Sequence, residues 1–142
     1  MPARDPAPDA GQERIFSKAP FIRELGIRLK GLGSGWCESS LEIQPRHLQQ
    51  DDVIHAGVMA TMADHTAGGA AATLVKGGEI VLTIEFKINI LRPARGRSLR
   101  CKAVVLRPGS RVTVAESEVF SQEGEKEVLV AKAMVTLAVV VT

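Results

Sequence analysis

The acid at Asp64 stands in a stretch that is otherwise almost uncharged. From Ala56 to Val75 the chain reads AGVMATMADHTAGGAAATLV, without a single Lys, Arg or Glu, and Asp64 and His65 are its only titratable groups. A carboxylate among apolar neighbours is costly unless it is hydrogen-bonded or has chemistry to perform. Helical spacing sets Gly57, Ala60, Thr61, Asp64 and Gly68 along one stripe. Small residues beside a lone acid leave space for another group to reach it. Two readings are open: a structural Asp bonded to backbone groups of a neighbouring strand, or a carboxylate that moves a proton or attacks a substrate.

The start of the same segment, Asp51-Asp52-Val53-Ile54-His55-Ala56-Gly57, offers a second chemical feature. A helix beginning here presents free backbone N–H groups at the positive end of its dipole. Such amides suit a carbonyl oxygen that gains negative charge in a transition state. The plainer alternative is an ordinary helix start, with His55 capping the turn or packing on the core. A third feature is the crowding of Arg92, Arg95, Arg97 and Arg100 around one turn. Guanidinium groups grip phosphates through paired hydrogen bonds, and charged side chains also guard strand ends against stray pairing. His47, in a polar loop, and His65, a quarter-turn from Asp64, are expected to be structural. Neither they nor Cys37 and Cys101 have zinc-ligand spacing, and no metal is expected. No strained serine elbow, phosphate-binding loop or dinucleotide glycine fingerprint is present.

These residues need elements to hold them. Alternation of Ile80, Leu82, Ile84, Phe86, Ile88 and Ile90 against Thr83, Glu85, Lys87 and Asn89 predicts a strand over 79–91, with the two sets on opposite faces. Further strands are predicted over 36–43, 98–106, 111–120 and 128–141, with turns at Gly31 to Gly35, Pro108-Gly109-Ser110 and around Gln122-Glu123-Gly124. Arg14 to Leu25 is expected to hold a short helix bent near Pro20, with Ile15, Phe16, Phe21, Ile22 and Leu25 inward. The 56–75 segment, apolar nearly all round, is expected to be a helix buried on most faces. The order is strand, long helix, then four strands in a meander: an α+β domain over 14–142 with the helix on one face of the sheet. Residues 1–13 read as a flexible N-terminal tail.

Composition narrows the partners. The net charge is +2, Tyr is absent and Trp36 is the only Trp, so neither a basic stripe nor base-stacking platforms support nucleic-acid binding. No apolar run suggests a membrane span, and the N-terminus lacks the apolar core of a secretory signal. The expectation is a cytoplasmic protein with Cys37 and Cys101 as buried, reduced thiols.

The stretch His55-Ala-Gly-Val-Met-Ala-Thr-Met-Ala-Asp64-His-Thr-Ala-Gly68 resembles the signature of the PaaI-like (phenylacetate-pathway) acyl-CoA thioesterases. In that signature a His-Gly-Gly turn leads an apolar helix, an Asp stands nine positions after the His, and a Gly four beyond; the spacing here agrees. The resemblance spans about residues 25–140 and implies a hotdog fold, a curved antiparallel sheet around one central helix. It implies that Asp64 is nucleophile or general base, that the Ala56 N–H polarises the thioester carbonyl, and that His55 holds the turn. Gln49 falls where relatives often carry Asn to position water or substrate, and Thr83 where a hydroxyl sits beside the carboxylate. The family's groups meet across a dimer interface, and dimers often pair into tetramers. Ala56 departs from the first Gly of the pair, its Cβ narrowing the approach, and Gln49 lengthens an arm.

The expected function is hydrolysis of an acyl-CoA thioester without a cofactor. Gly57, Ala60 and Thr61 would line the substrate, and Arg92, Arg95 and Arg97 would hold the phosphates of coenzyme A. Two alternatives stand beside it: a non-catalytic acyl-CoA-binding module, and a hotdog hydratase or dehydratase, whose His and acid stand at other spacings.

Overall fold

The computed structural model describes residues 10–142. Helix α1 (Ala10–Ser17) leads to α2 (Pro20–Leu25), then strands β1 (Arg28–Gly33) and β2 (Trp36–Glu42). A 3-10 turn, Pro45–His47, precedes α3 (Ala56–Ala72), and β3 (Glu79–Ile90), β4 (Ser98–Arg107), β5 (Val112–Glu123) and β6 (Lys126–Val141) complete the chain. Nine residues of the expected tail lie outside the described residues, and α1 begins ahead of the Arg14 boundary. The break near Pro20 is as expected, with Phe16 and Ile22 buried, whereas Phe21 is 64% exposed and does not join them.

All six strands form one antiparallel sheet in the order β1-β2-β4-β5-β6-β3. α3 touches every strand of it, which requires the sheet to wrap around the helix. That is the hotdog arrangement the resemblance implied. The meander expected for the last four strands is not what forms. β4, β5 and β6 are consecutive neighbours, but β3 pairs with β6 at the far edge instead of with β4. The seven residues between β3 and β4 return beneath two strands, and an extended chain of that length spans about 23 Å against the roughly 15 Å needed. Periodicity finds a strand but does not choose its neighbour.

No alternation in the sequence marks β1, whose glycines read as a turn. Gly31 lacks a side chain there for a reason: a Cβ on it would come within 3.3 Å of the Trp36 ring. Glycine serves the helix interface too, because a Cβ on Gly69 would meet Cys37 Sγ at 2.8 Å, so α3 lies against β2 almost backbone to side chain. Beneath the helix, Thr66 Oγ1 donates to Met62 O at 2.6 Å, and the 2.7 Å contact of Ser39 Oγ with Thr66 Oγ1 therefore has Ser39 as donor. Ser117 Oγ donates to Ala63 O at 2.7 Å. Cys37 and Cys101 are buried and unbridged as expected, and burial pushes both thiols up to about 12.

The structure also corrects the reading of β3. The register with β6 slips between Thr83 and Glu85, so Ile84 is a bulge residue, and a bulge reverses which side chains face which way. Opposed residues share a face. Thr83 opposes buried Leu137, while Phe86 and Ile88 oppose buried Val135 and Ala133. Thr83 therefore faces the helix with Phe86 and Ile88, while Leu82, opposite Ala138 and out of step with them, points away. The unbroken alternation in the sequence runs straight through the bulge and conceals it.

Candidate active site

The bulge brings a hydroxyl to the acid. Thr83 Oγ1 donates to Asp64 Oδ1 at 2.7 Å. Asp64 is half-buried and Thr83 exposed, so the carboxylate is less enclosed than its apolar neighbours in sequence suggested. The whole stripe is open: Ala60, Thr61 and Gly68 are half-buried and Gly57 is exposed, whereas Val58, Met59, Met62, Ala63 and Ala67 face the core. Thr61 Oγ1 donates back to Gly57 O at 2.8 Å, leaving its methyl outward on the stripe. α3 is thus buried on one side only.

The second group of residues gathers at the start of α3. His55 is the N-cap, its Nδ1 accepting the Gly57 N–H at 2.8 Å, which is the capping role foreseen for it. A Cβ at Gly57 would crowd that nitrogen at 2.9 Å, so glycine is needed here. Among the described residues the Ala56 N–H meets no acceptor. It opens, with Gln49, His55, Met59 and Arg92, onto a cavity of about 600 Å³. Gln49 Oε1 takes the Asp51 N–H, which leaves its amide nitrogen for another partner. The connection after β3 is tied down by Ile54 N–H to Ala94 O at 2.9 Å, and this sets Arg92 at the cavity.

The other arginines disperse. Arg95 and Arg97 are exposed and do not line the cavity; Arg97 Nη1 donates to Gly124 O at 3.3 Å. Arg100 leaves the expected cluster altogether. It pairs with Glu38 at 2.8 Å and with both oxygens of Glu127, and its guanidinium lies over Phe120. Alternation along β4 put it on the far face of the sheet. Met59 is a cavity residue the sequence reading passed over, although it stands three positions, about one helical turn, after Ala56.

Within one chain the two groups do not meet. Asp64 lies eight residues beyond Ala56, about 12 Å along a helix rising 1.5 Å per residue. One thioester carbonyl cannot touch both.

The remaining histidines are structural, as expected, though His47 is fully buried rather than in a polar loop. Its Nε2 donates to Leu25 O at 2.7 Å and its Nδ1 accepts the Gln44 N–H. His65 Nε2 donates to Ile15 O at 2.9 Å, with the Phe16 ring edge-on at 4.7 Å, so it pins α1 to α3. Burial pulls its pKa below 6.5, partly offset by the Ile15 carbonyl and by Asp64. A histidine that stays neutral in the fold destabilises it when protonated, so this share of stability is complete above about pH 6.5 and is lost as pH falls towards the depressed value. Thermal unfolding between pH 7.5 and 5 is expected to fall less steeply in His65→Gln than in the wild type.

The fold is a hotdog, one curved antiparallel sheet around a long helix, with the Asp64 carboxylate on the helix's open flank. Residues 51–128 match the family described as the thioesterase superfamily, more than half of the chain, and the chain belongs to that superfamily. It is a thioester hydrolase. The structure superposes on a thioesterase family protein from Silicibacter pomeroyi with a TM-score of 0.90 and 32% identity, covering 94% of this chain and 98% of the other. A conserved protein from Pseudomonas aeruginosa gives a TM-score of 0.80 and 30% identity over 94% and 100%. The chain is also similar to the medium/long-chain acyl-CoA thioesterase YigI of Escherichia coli, 27% identical over 78% of this chain and 81% of that one. Among the described residues no helix is long and apolar enough to cross a membrane.

Proposed function

We propose that this chain hydrolyses acyl-CoA thioesters at sites built by two copies of itself, with Asp64 of one copy facing the Ala56 N–H of the other. The observation that carries the reading is the open stripe on α3 beside an edge strand with apolar residues in solvent: Leu82, Ile84, Phe86 and Ile90 are 39–57% exposed. An unpaired edge of that kind invites a second strand. Two copies of β3 pairing antiparallel would lay two α3 helices side by side, also antiparallel. If Asp64 is to stand opposite Ala56 of the partner subunit, the two-fold axis falls at Ala60, where small side chains permit close approach.

In such a site the carboxylate activates water, or attacks the carbonyl itself. The amide at the helix start stabilises the oxyanion, the C–S bond breaks, and coenzyme A leaves as a thiol. Thr83 orients Asp64, Gln49 offers an amide to water or substrate, and Arg92 meets a phosphate or the pantetheine arm near its cavity. Arg95 and Arg97 on the same connection reach the nucleotide end. No cofactor takes part. The likeness to a protein named for medium- and long-chain acyl-CoA supports that substrate class, and we place the enzyme in the cytoplasm, its dimers pairing further into tetramers.

Thr83→Val is expected to lower kcat roughly ten- to hundredfold, the worth of one hydrogen bond to an ionised group, with little change in melting temperature because the residue is exposed. The reading as a whole is tested by thiol release, followed with a thiol-reactive dye, from phenylacetyl-, benzoyl- and straight-chain acyl-CoAs. Release from at least one is the expected result. Thioester binding without release would instead make the chain a binding module.

A further inference from the structure

At the opposite end of α3 from Ala56 lies a second cavity, about 510 Å³, between α1, the last turn of α3 and the start of β3. Ile15, Ala72, Val75 and Val81 supply apolar wall, and three cations also line it: Arg14, Lys18 and Lys76. None of the three makes an ion pair among the described residues. The one acid in the lining, Glu79, has an oxygen turned to the Lys76 backbone N–H at 2.8 Å, so the cavity carries an excess of positive charge.

The cavity adjoins the reaction centre. Val81 stands two residues before Thr83 on the same face of β3, about 7 Å away at strand spacing. Ala72 lies eight residues past Asp64 on α3, about 12 Å along the axis. The α1 wall is held in place by the bond from His65 to Ile15 O.

We propose that this cavity takes the far end of the acyl chain, and that Arg14, Lys18 and Lys76 select chains ending in an anionic group, a terminal carboxylate. The inference rests on the acyl-CoA thioesterase reading. A methyl-ended chain would need apolar walls alone, and three cations against the single acid Glu79 serve no such chain. Coenzyme A phosphates are the competing anion, but the side chains lining the cavity towards Thr83 and Asp64, Val81 and Ala72, are apolar and match methylenes better than the amides of pantetheine. The distance from Asp64 suits a chain of medium length.

The test compares dodecanoyl-CoA with the mono-CoA ester of dodecanedioic acid, using wild type and the triple variant Arg14→Gln, Lys18→Gln, Lys76→Gln. These side chains are exposed, so the variant is expected to fold. The wild type is expected to favour the acid-ended ester by about tenfold in kcat/KM, the preference shrinking with salt and falling towards one in the variant. Equal rates in the wild type, or a preference that survives in the variant, would overturn the proposal. Calorimetric titration with free dodecanedioate keeps it separate from the thioesterase reading, since it needs no turnover. Binding that weakens about tenfold in the variant supports the cavity even if neither ester is cleaved. Absence of binding, or its displacement by free coenzyme A, overturns it.

Discussion

Asp64→Asn is expected to lower kcat by about 10³-fold, within the range that positioned acid–base catalysis contributes, while the melting temperature stays close to that of the wild type. The fold has little reason to notice the change. Asp64 is only half-buried, and among the described residues its one side-chain partner is the Thr83 hydroxyl, from which an amide oxygen also accepts. The chemistry has every reason to notice, because an amide neither takes a proton from water nor attacks a thioester. KM should move little, the shape of the site being kept. Turnover of a thioester by thiol release, with thermal unfolding alongside, checks both halves. An Asp64→Asn variant that turns over at the wild-type rate would leave the carboxylate without a part in the reaction.

Ala56→Pro is the second large effect. Proline at the first helical position is well tolerated because its missing N–H has no partner inside the helix. The residue before it must be extended, and His55 already is, at φ −61° and ψ 134°. The substitution therefore removes one N–H group, the one that meets no acceptor among the described residues, and disturbs little else. Loss of an oxyanion donor costs about 10²- to 10³-fold in kcat. A fall confined to kcat is expected if the amide serves the transition state, and a rise in KM alone would give it a role in ground-state binding instead.

How much of this could be read in the sequence depends on the range of the signal. α3 and strands β2 to β6 were legible because helical and two-residue periods are local properties of the chain. β1 was not, since Gly31 gives up its side chain to the Trp36 ring and glycine in a strand looks like a turn. The face of Thr83 was misread for an opposite reason: Ile84 fills the bulge with a residue that preserves the apolar alternation. Asp64 and His55 were legible through composition and spacing. The neighbour of β3 and the dispersal of Arg100 from Arg92 were not, because both depend on which strands lie side by side. The cations of the second cavity come from α1 and from beyond the end of α3, and nothing in their separate surroundings marks them as a set.

Purified mixed dimers, each with one Asp64→Asn chain and one Ala56→Pro chain carrying different tags, test the central claim most directly. A site that draws its carboxylate from one copy and its amide from the other is intact once in every mixed dimer and doubly damaged once. Thiol release at about half the wild-type rate is the predicted result, from two parents that are each nearly inactive. Mixed dimers as inactive as their parents would contradict the account, because the acid and the amide would then have to serve from the same chain.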